Sequence, residues 1–531
     1  MAKSDNQNNE INSTSYEFNS YYNRSANSLN FIGTNLFDEL SQKLLKQIVQ
    51  DPMMYNEELR HLSLKIYGSN GVCRNTVDYM VAMPTLSKVV VTHGKSNNKN
   101  TFNKNLMEST LHTIKDAEII RDALFKGMVE GVAFYYFETN ERPNSKKKLL
   151  TDFEAGNIVE INSGGVNASI ISLPADYTQI VGIKNSSYVL AFNLDYFDLA
   201  TGEPVESKLL KYPAEIRDGY NKYKKQGINH GNWLILDNTK TIVHKICSKR
   251  EEKWGRPITL AALTDVFYSE YFTNTKRNVL DEINNKIVYQ TFPEGKEKGT
   301  SALTRAQQEE QHKNVKSAVM SKNNRGGTSF FSVAAGTKID TVDPSNTDIF
   351  DSKNEANLND KISLDLGIAG SLLNGVGSGS YSAQQQNLEL ITSQIYQWVD
   401  QIAAEINKCI SYNIIKDNKN WVEVKYLPIT HVNKSQMVSD AKDLYLQGKG
   451  SLTLWASACG IEPEVFYALL DQELEDDIEN KYPVHKTSYV MSSKDGNSDS
   501  KAGRPKSNNP TENTIKSRNN NGDSIPTPSD K

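Results

Sequence analysis

The run Leu373-Asn374-Gly375-Val376-Gly377-Ser378-Gly379-Ser380-Tyr381 holds the residue types that come nearest to chemistry. Its G-x-G-x-G spacing would let backbone N–H groups converge on an anion such as a phosphate. Nucleotide loops of this kind follow a strand, whereas helical periodicity flanks this one on both sides. It therefore reads as a mobile, uncharged hinge between two helices. His93-Gly94-Lys95-Ser96 carries the last letters of a phosphate-binding P-loop, but Val89 stands where its first glycine belongs. No nucleotide-driven motor is implied. The acidic pairs Glu251-Glu252 and Asp476-Asp477 are the side chains a metal-dependent nuclease would use, yet adjacent charges on a helix read as a solvated face. Cys73, Cys247, Cys409 and Cys459 form no C-x-x-C pair, and the eight histidines show no metal-binding spacing. His244, beside Ile242 and Val243, reads as a core or surface residue. The expectation is a protein with no catalytic residue, no bound metal and no cofactor.

The whole-chain balance points the same way. Across 531 residues, 60 Lys and Arg stand against 64 Asp and Glu, a net charge of −4. Proteins that grip nucleic acid through phosphates carry a basic excess, because counterion release drives the binding. This chain either never meets DNA or meets it without holding on. The basic stretches Lys146-Lys147-Lys148, Lys222 to Lys225 and Lys249-Arg250 lie in polar turns and read as solvated loops. Nothing approaches the roughly 18 apolar residues of a membrane span, and MAKSDNQNNE has no apolar signal core. A soluble protein made in the cytoplasm, with no membrane partner, is expected.

The elements that must position the glycine loop follow from periodicity. Residues 1–35 are Asn- and Ser-rich and read as a flexible arm; 492–531 read as a disordered tail. From 36 to about 135 helices dominate, with Phe37, Leu40, Leu44, Leu45 and Ile48 on one face, then a helix over Tyr55–Tyr67 and a third over Leu106–Gly131. Short β-rich runs follow to residue 256: AFYYFET, ASIISL, YVLAFNLDYF, NWLILD and TIVHKI. A long helix then opens at Pro257. It leads to a polar insert with a strand at Val288–Phe292, a helix begun by the capping box Thr304-x-x-Gln307, and a strand at Ser329–Val333. A helix over Glu355–Leu372 comes before the glycine loop. After the loop, Leu388, Ile391, Ile395, Trp398, Ile402, Ile406 and Ile410 recur every three or four residues, the strongest helical stripe in the chain and a packing face. The strand WVEVKYLPI precedes helices over Ser435–Gln447, Ser451–Cys459 and Pro463–Ile478, the last ending in the acidic run Glu473 to Glu479.

This order of segments resembles the portal proteins of tailed phages, of the type common in phages of Gram-positive hosts. YNEELRHLSLKIYGSNGVCRNTVDYMVAMPTLSKVVV (55–91) is similar to the opening of that family's wing, and SLPADYTQIVG (172–182) and LAFNLDYFD (190–198) to its wing sheet. WGRPITLAALTDVFYSEYF (254–272) resembles the Gly- and Pro-containing start of its long helix. IAGSLLNGVGSGSYSAQQQNLELITSQIYQW (368–398) resembles the helix end, loop and helix start that follow, with Asn374-Gly375 where many relatives have the glycine directly. LYLQGKGSLTLWASACGIEPEVFYALLDQELED (444–476) looks like its C-terminal helical region. The resemblance spans about residues 40–485; the Asn-rich arm and polar tail have no counterpart, and the insert matches by position alone.

The resemblance implies an α+β portal fold with long helices around a central channel. Its regions would be a wing at 36–257 (helical, then β-rich), a stem helix at 258–287, a clip at 288–345 and a second stem helix at 346–372. A tunnel loop at 373–383, a long helix returning to the wing at 384–433 and a crown at 434–491 would complete it. It implies a closed homo-oligomeric ring of about twelve subunits at one capsid vertex of the virion. Double-stranded DNA would pass non-specifically through it during packaging and ejection. The terminase large subunit, major capsid and scaffold proteins and a head–tail adaptor would be its partners. Asn374, Gly375, Val376, Gly377, Ser378, Gly379, Ser380 and Tyr381 would face DNA, while Leu388, Ile391, Ile395, Trp398 and Ile402 would anchor the loop by packing. The acidic run 473–479 would face the channel or crown interior and repel DNA. A head–tail adaptor or scaffold protein, and a metal-dependent nuclease, stay open as other readings of the residues.

Overall fold

The computed structural model describes residues 39–93, 97–139, 168–199, 205–226, 231–284, 287–320, 332–342, 352–369, 372, 381–417 and 419–482. They divide into two units, Met1–Pro463 and Glu464–Lys531. The first begins with α1 (Glu39–Gln50), α2 (Asn56–Ser69) and α3 (Gly71–Ala82). The turn into α3 is set by Asn70, whose side-chain oxygen accepts the N–H groups of Val72 and Cys73 at 3.0 Å each.

β1 (Lys88–Thr92) follows, a strand the periodicity did not show. It pairs antiparallel with β10 (Val422–Tyr426), more than 300 residues away. The helix expected over 106–131 is two helices, α4 (Asn98–Ile114) and α5 (Asp116–Glu130), broken at the left-handed Lys115 (φ 52°). The break turns Asp116 inward, where it accepts from Lys88 Nζ at 2.8 Å and Tyr426 Oη at 2.5 Å. An uninterrupted helix would lose that contact.

β2 (Val132–Glu138) lies between β3 (Ser169–Leu173) and β7 (Thr241–Lys245). Side chains alternate across a strand, and here both faces are covered. Ala133, Tyr135 and Phe137 enter one core with α4 and α5, while Val132, Phe134 and Tyr136 enter a second. That is why the strand has no charged residue from Val132 to Phe137. The second core is closed by β4 (Thr178–Lys184), β5 (Ser187–Asn193) and β6 (Trp233–Ile235), and by two helices inside the expected β-rich block, α6 (Val205–Leu210) and α7 (Ala214–Gln226).

His244 of β7 is fully buried, and a Cβ on Gly127 of α5 would lie 2.7 Å from its ring. Burial pushes this imidazole down to about 4. The unfolded chain takes up the proton near pH 6.5, so between the two values it binds more protons than the folded chain. Stability is therefore full above about pH 6.5 and falls as pH drops toward 4, by about 3 kcal/mol once the folded form must also protonate. Denaturant midpoints between pH 7 and pH 4 should fall more steeply for the natural chain than for His244→Gln; parallel curves would remove His244 from the acid response.

The rest of the first unit is α8 (Thr259–Asn284), β8 (Ile287–Thr291), α9 (Arg305–Met320), β9 (Lys338–Val342), α10 (Ser352–Asp365), α11 (Tyr381–Ile410), β10, α12 (Lys434–Leu446) and α13 (Leu452–Cys459). The second unit holds all but the first residue of α14 (Pro463–Glu475), and Asp477 is left-handed before the short α15 (Ile478–Lys481). The helix expected to reach Ile478 thus stops inside its acidic run, where crowded carboxylates repel one another.

Candidate functional site

α8 and α10 form an antiparallel pair. Lys276 Nζ meets Glu355 Oε1 at 2.6 Å and Lys361 Nζ meets Asp265 Oδ1 at 2.7 Å, so position rises along one helix as it falls along the other. At 1.5 Å per residue α8 is about 39 Å long. Its outer end leads into β8, which pairs antiparallel with β9 from Ile287↔Val342 to Thr291↔Lys338. Of the strand expected at Ser329–Val333, residues 329–331 lie outside the described residues, Ser332 and Val333 join no ladder, and β9 lies at Lys338–Val342. α9 starts one residue after Thr304, whose N–H donates to Gln307 Oε1 at 3.0 Å, half of the expected capping box. Tyr268 and Leu364 stand exposed on the outer faces of the pair.

The inner end of α8 is held at a crossing of two glycines. A Cβ on Gly255 would fall 1.8 Å from the carbonyl oxygen of Gly131, which has φ +82°. Around the crossing the Ile246 N–H donates to Gly131 O at 3.0 Å, the Arg256 N–H to Ile246 O at 3.1 Å and the Ile258 N–H to Met128 O at 3.0 Å. α2 contributes a polar stripe to the same place. Ser63 Oγ and Thr259 Oγ1 are 2.6 Å apart, and Asn56 Nδ2 donates to Gly255 O at 3.4 Å. Arg60 donates to Asn56 and reaches Asp176 Oδ1 at 2.5 Å, with its guanidinium 4.8 Å from the Trp254 ring centre. His61 Nε2 lies 3.3 Å from the other Asp176 oxygen. Burial alone would raise the Asp176 carboxyl; the His61 hydrogen bond and the Arg60 charge outweigh it and hold the group below its ordinary value.

Glu57, His61 and Asp176 also place possible metal-ligand atoms within 4.8 Å of one another. With the Arg60 guanidinium already on Asp176, a cation there would sit beside a like charge. The geometry is that of a structural ion pair.

Toward the glycine loop, α10 ends in a Schellman turn rather than running to Leu372. Ile368 N–H donates to Ser363 O and Gly367 N–H to Leu364 O, each at 3.0 Å, with Gly367 at φ +80°. Asn387 of α11 clamps this turn: its Oδ1 accepts the Ala369 N–H and its Nδ2 donates to Gly367 O, both at 3.1 Å. Asn374 to Ser380 lie outside the described residues, while Tyr381 is the first residue of α11, which starts ahead of the expected 384. Ile391, Ile395, Trp398 and Ile402 are buried against α5, β2 and β10 in the first core. Leu388 is only half-buried and lines a groove of about 800 Å³ with Thr392, Tyr396, Asp400 and Asn433. The clamp by Asn387 and the stripe Asn56-Arg60-Ser63 were missed by sequence reasoning, although polar residues at helical spacing inside apolar helices were a signal.

No family model matches this chain. It is 23% identical over 519 residues to the SPbeta prophage-derived uncharacterized protein YonE of Bacillus subtilis (strain 168), covering 94% of this chain and 93% of that one. Among solved structures, it is similar to a chain from the neck of an empty GTA particle computed with C6 symmetry. That likeness has a TM-score of 0.45 and 12% identity over 77% of this chain and 94% of the other. It is also similar to an HK97 family phage portal protein from Corynebacterium diphtheriae, with a TM-score of 0.31 and 8% identity over 69% of this chain and 93% of the other.

Proposed function

We propose that this chain is a portal subunit: a non-enzymatic component of the virion that forms a ring at one capsid vertex and conducts double-stranded DNA. The observation that carries the reading is the succession of α8, the β8–β9 insert, α10, the clamped turn, the glycine run and α11. A strut rooted in the core and tipped by a small sheet suits a stem with its clip. The five sequence segments stand in portal order, and a relative aligned along nearly its full length is prophage-derived.

In this reading the clip surface docks the terminase large subunit and later a head–tail adaptor, while the wing meets capsid and scaffold proteins. The run 374–381 projects toward DNA. Glycines let it change shape, and the absence of Lys and Arg keeps each phosphate contact weak, since every neutralised phosphate would add affinity and slow passage. Asn374, Ser378, Ser380 and Tyr381 offer transient hydrogen bonds. Exposed Tyr268 and Leu364 suit contact with the next subunit.

Negative-stain microscopy with mass measurement on the purified full-length chain tests the ring. Closed rings with an axial hole are expected; a compact closed dimer would favour an adaptor or an enzyme. Deleting Gly375–Ser380 should leave rings intact and abolish DNA packaging. Normal packaging by that deletion would remove the loop from the DNA path.

A further inference from the structure

One surface region, where the start of α4 meets the turn before β10, combines exposed cations with exposed aromatic rings. Asn97 Nδ2 donates to Asn420 Oδ1 at 3.2 Å and Asn103 Nδ2 to Asn420 O at 2.8 Å, joining the first turns of α4 to the turn before β10. Trp421 follows that turn. One face of its indole stacks on His93 at 3.7 Å and 10° between planes, yet the residue is 43% exposed. Phe102, one helical turn on from Lys99, is 66% exposed. Lys99, Lys416 and Lys419 are exposed and make no ion pair among the described residues.

The other charges nearby are already engaged. Glu423 accepts from His93 Nε2 at 2.9 Å and pairs with Lys425 at 3.2 Å; Lys104 pairs with Glu108 at 3.3 Å. Asp417 accepts the N–H groups of Lys419 and Asn420 and the Asn420 amide. Beside Asp417, whose carboxylate the Lys99 charge helps to hold ionised, three exposed ammonium groups and two exposed aromatic residues stand on a chain whose net charge is negative.

We propose that this surface binds single-stranded nucleic acid, with Lys99, Lys416 and Lys419 on phosphates and an unpaired base stacked on the Trp421 indole face turned away from His93. The residue mixture chooses the partner. Protein–protein interfaces are rich in aromatic residues but poor in lysine, whereas single-strand surfaces join cations to exposed rings because every base has a stackable face. A duplex hides those faces, so it would use the lysines alone.

The test is fluorescence anisotropy of a labelled oligothymidylate of about fifteen nucleotides with the full-length protein at low salt. Trp421→Ala should weaken binding about tenfold, and Lys99→Glu with Lys419→Glu should abolish it and flatten its salt dependence. The charge-reversed variant alters only exposed side chains, so it stays informative if Trp421→Ala fails to fold. Binding that survives both variants, an equal affinity for duplex that ignores Trp421, or equal competition by polyglutamate would overturn the assignment. So would no binding at all. None of these outcomes depends on whether the protein forms a ring.

Discussion

Gly255→Ala should destabilise the protein by about 3 kcal/mol or more. The added Cβ would lie 1.8 Å from Gly131 O, 2.7 Å from Gly131 C and 2.8 Å from Ile246 O. All three are backbone atoms, so no rotamer change relieves the overlap. Gly131 cannot retreat easily, because its φ of +82° and its hydrogen bond from the Ile246 N–H fix it between α5 and β7. The chain must separate at the point where α8 leaves the core, and protease cleavage near residues 254–260 should accelerate. Gly182→Ala is the control, since nothing lies within 4 Å of its Cβ position. Equilibrium denaturation should set the two variants far apart; equal midpoints would mean that the glycine crossing is not as tight as described.

Asp176→Ala should cost about 3–5 kcal/mol, by a different mechanism. The side chains of Arg60 and Asp176 are only 2% and 6% exposed. Removing the carboxylate takes from this interior guanidinium the charge partner that meets it at 2.5 Å. Replacing both partners with apolar residues should restore much of the loss, because the desolvation of two charges is then avoided. The pH response has the same origin. A carboxyl held below its ordinary value contributes stability that is present above the unfolded pKa and is lost as pH falls through the folded one. A double-mutant cycle with Arg60→Met, repeated across the acid range, measures the coupling. A coupling near zero would show that the pair contributes nothing net to the junction.

Both changes strike the root of α8, and both bear on the proposed role. A strut that transmits load from a docked motor must be rigid where it joins the body. The glycine crossing and the buried ion pair supply that rigidity at one place, from residues in α2, α5, the 175–177 turn and the 246–259 connection.

Much of this was legible in the residues themselves. The α11 stripe from Ile391 to Ile410 lies in the core because its spacing leaves one apolar face. AFYYFET and TIVHKI are buried strands, and Thr304 with Gln307 marks the start of α9. These are local properties, fixed by period and by short-range hydrogen bonds. The end of α10 was written there too, in Gly367 followed by Ile368, but the apolar residues through Leu372 masked it.

The tertiary structure alone decided what depends on partners distant in the chain. β1 is a strand because β10 supplies its ladder; Lys115 breaks a helix because Asp116 is needed by Lys88 and Tyr426. The need for glycine at 255 appears only when Gly131 crosses it, and Arg60 reads as an ordinary helix surface residue until Asp176 is brought to 2.5 Å. Periodicity records which face of an element is apolar. It does not record which other element arrives there, and that meeting is where these polar and backbone contacts acquire their energy.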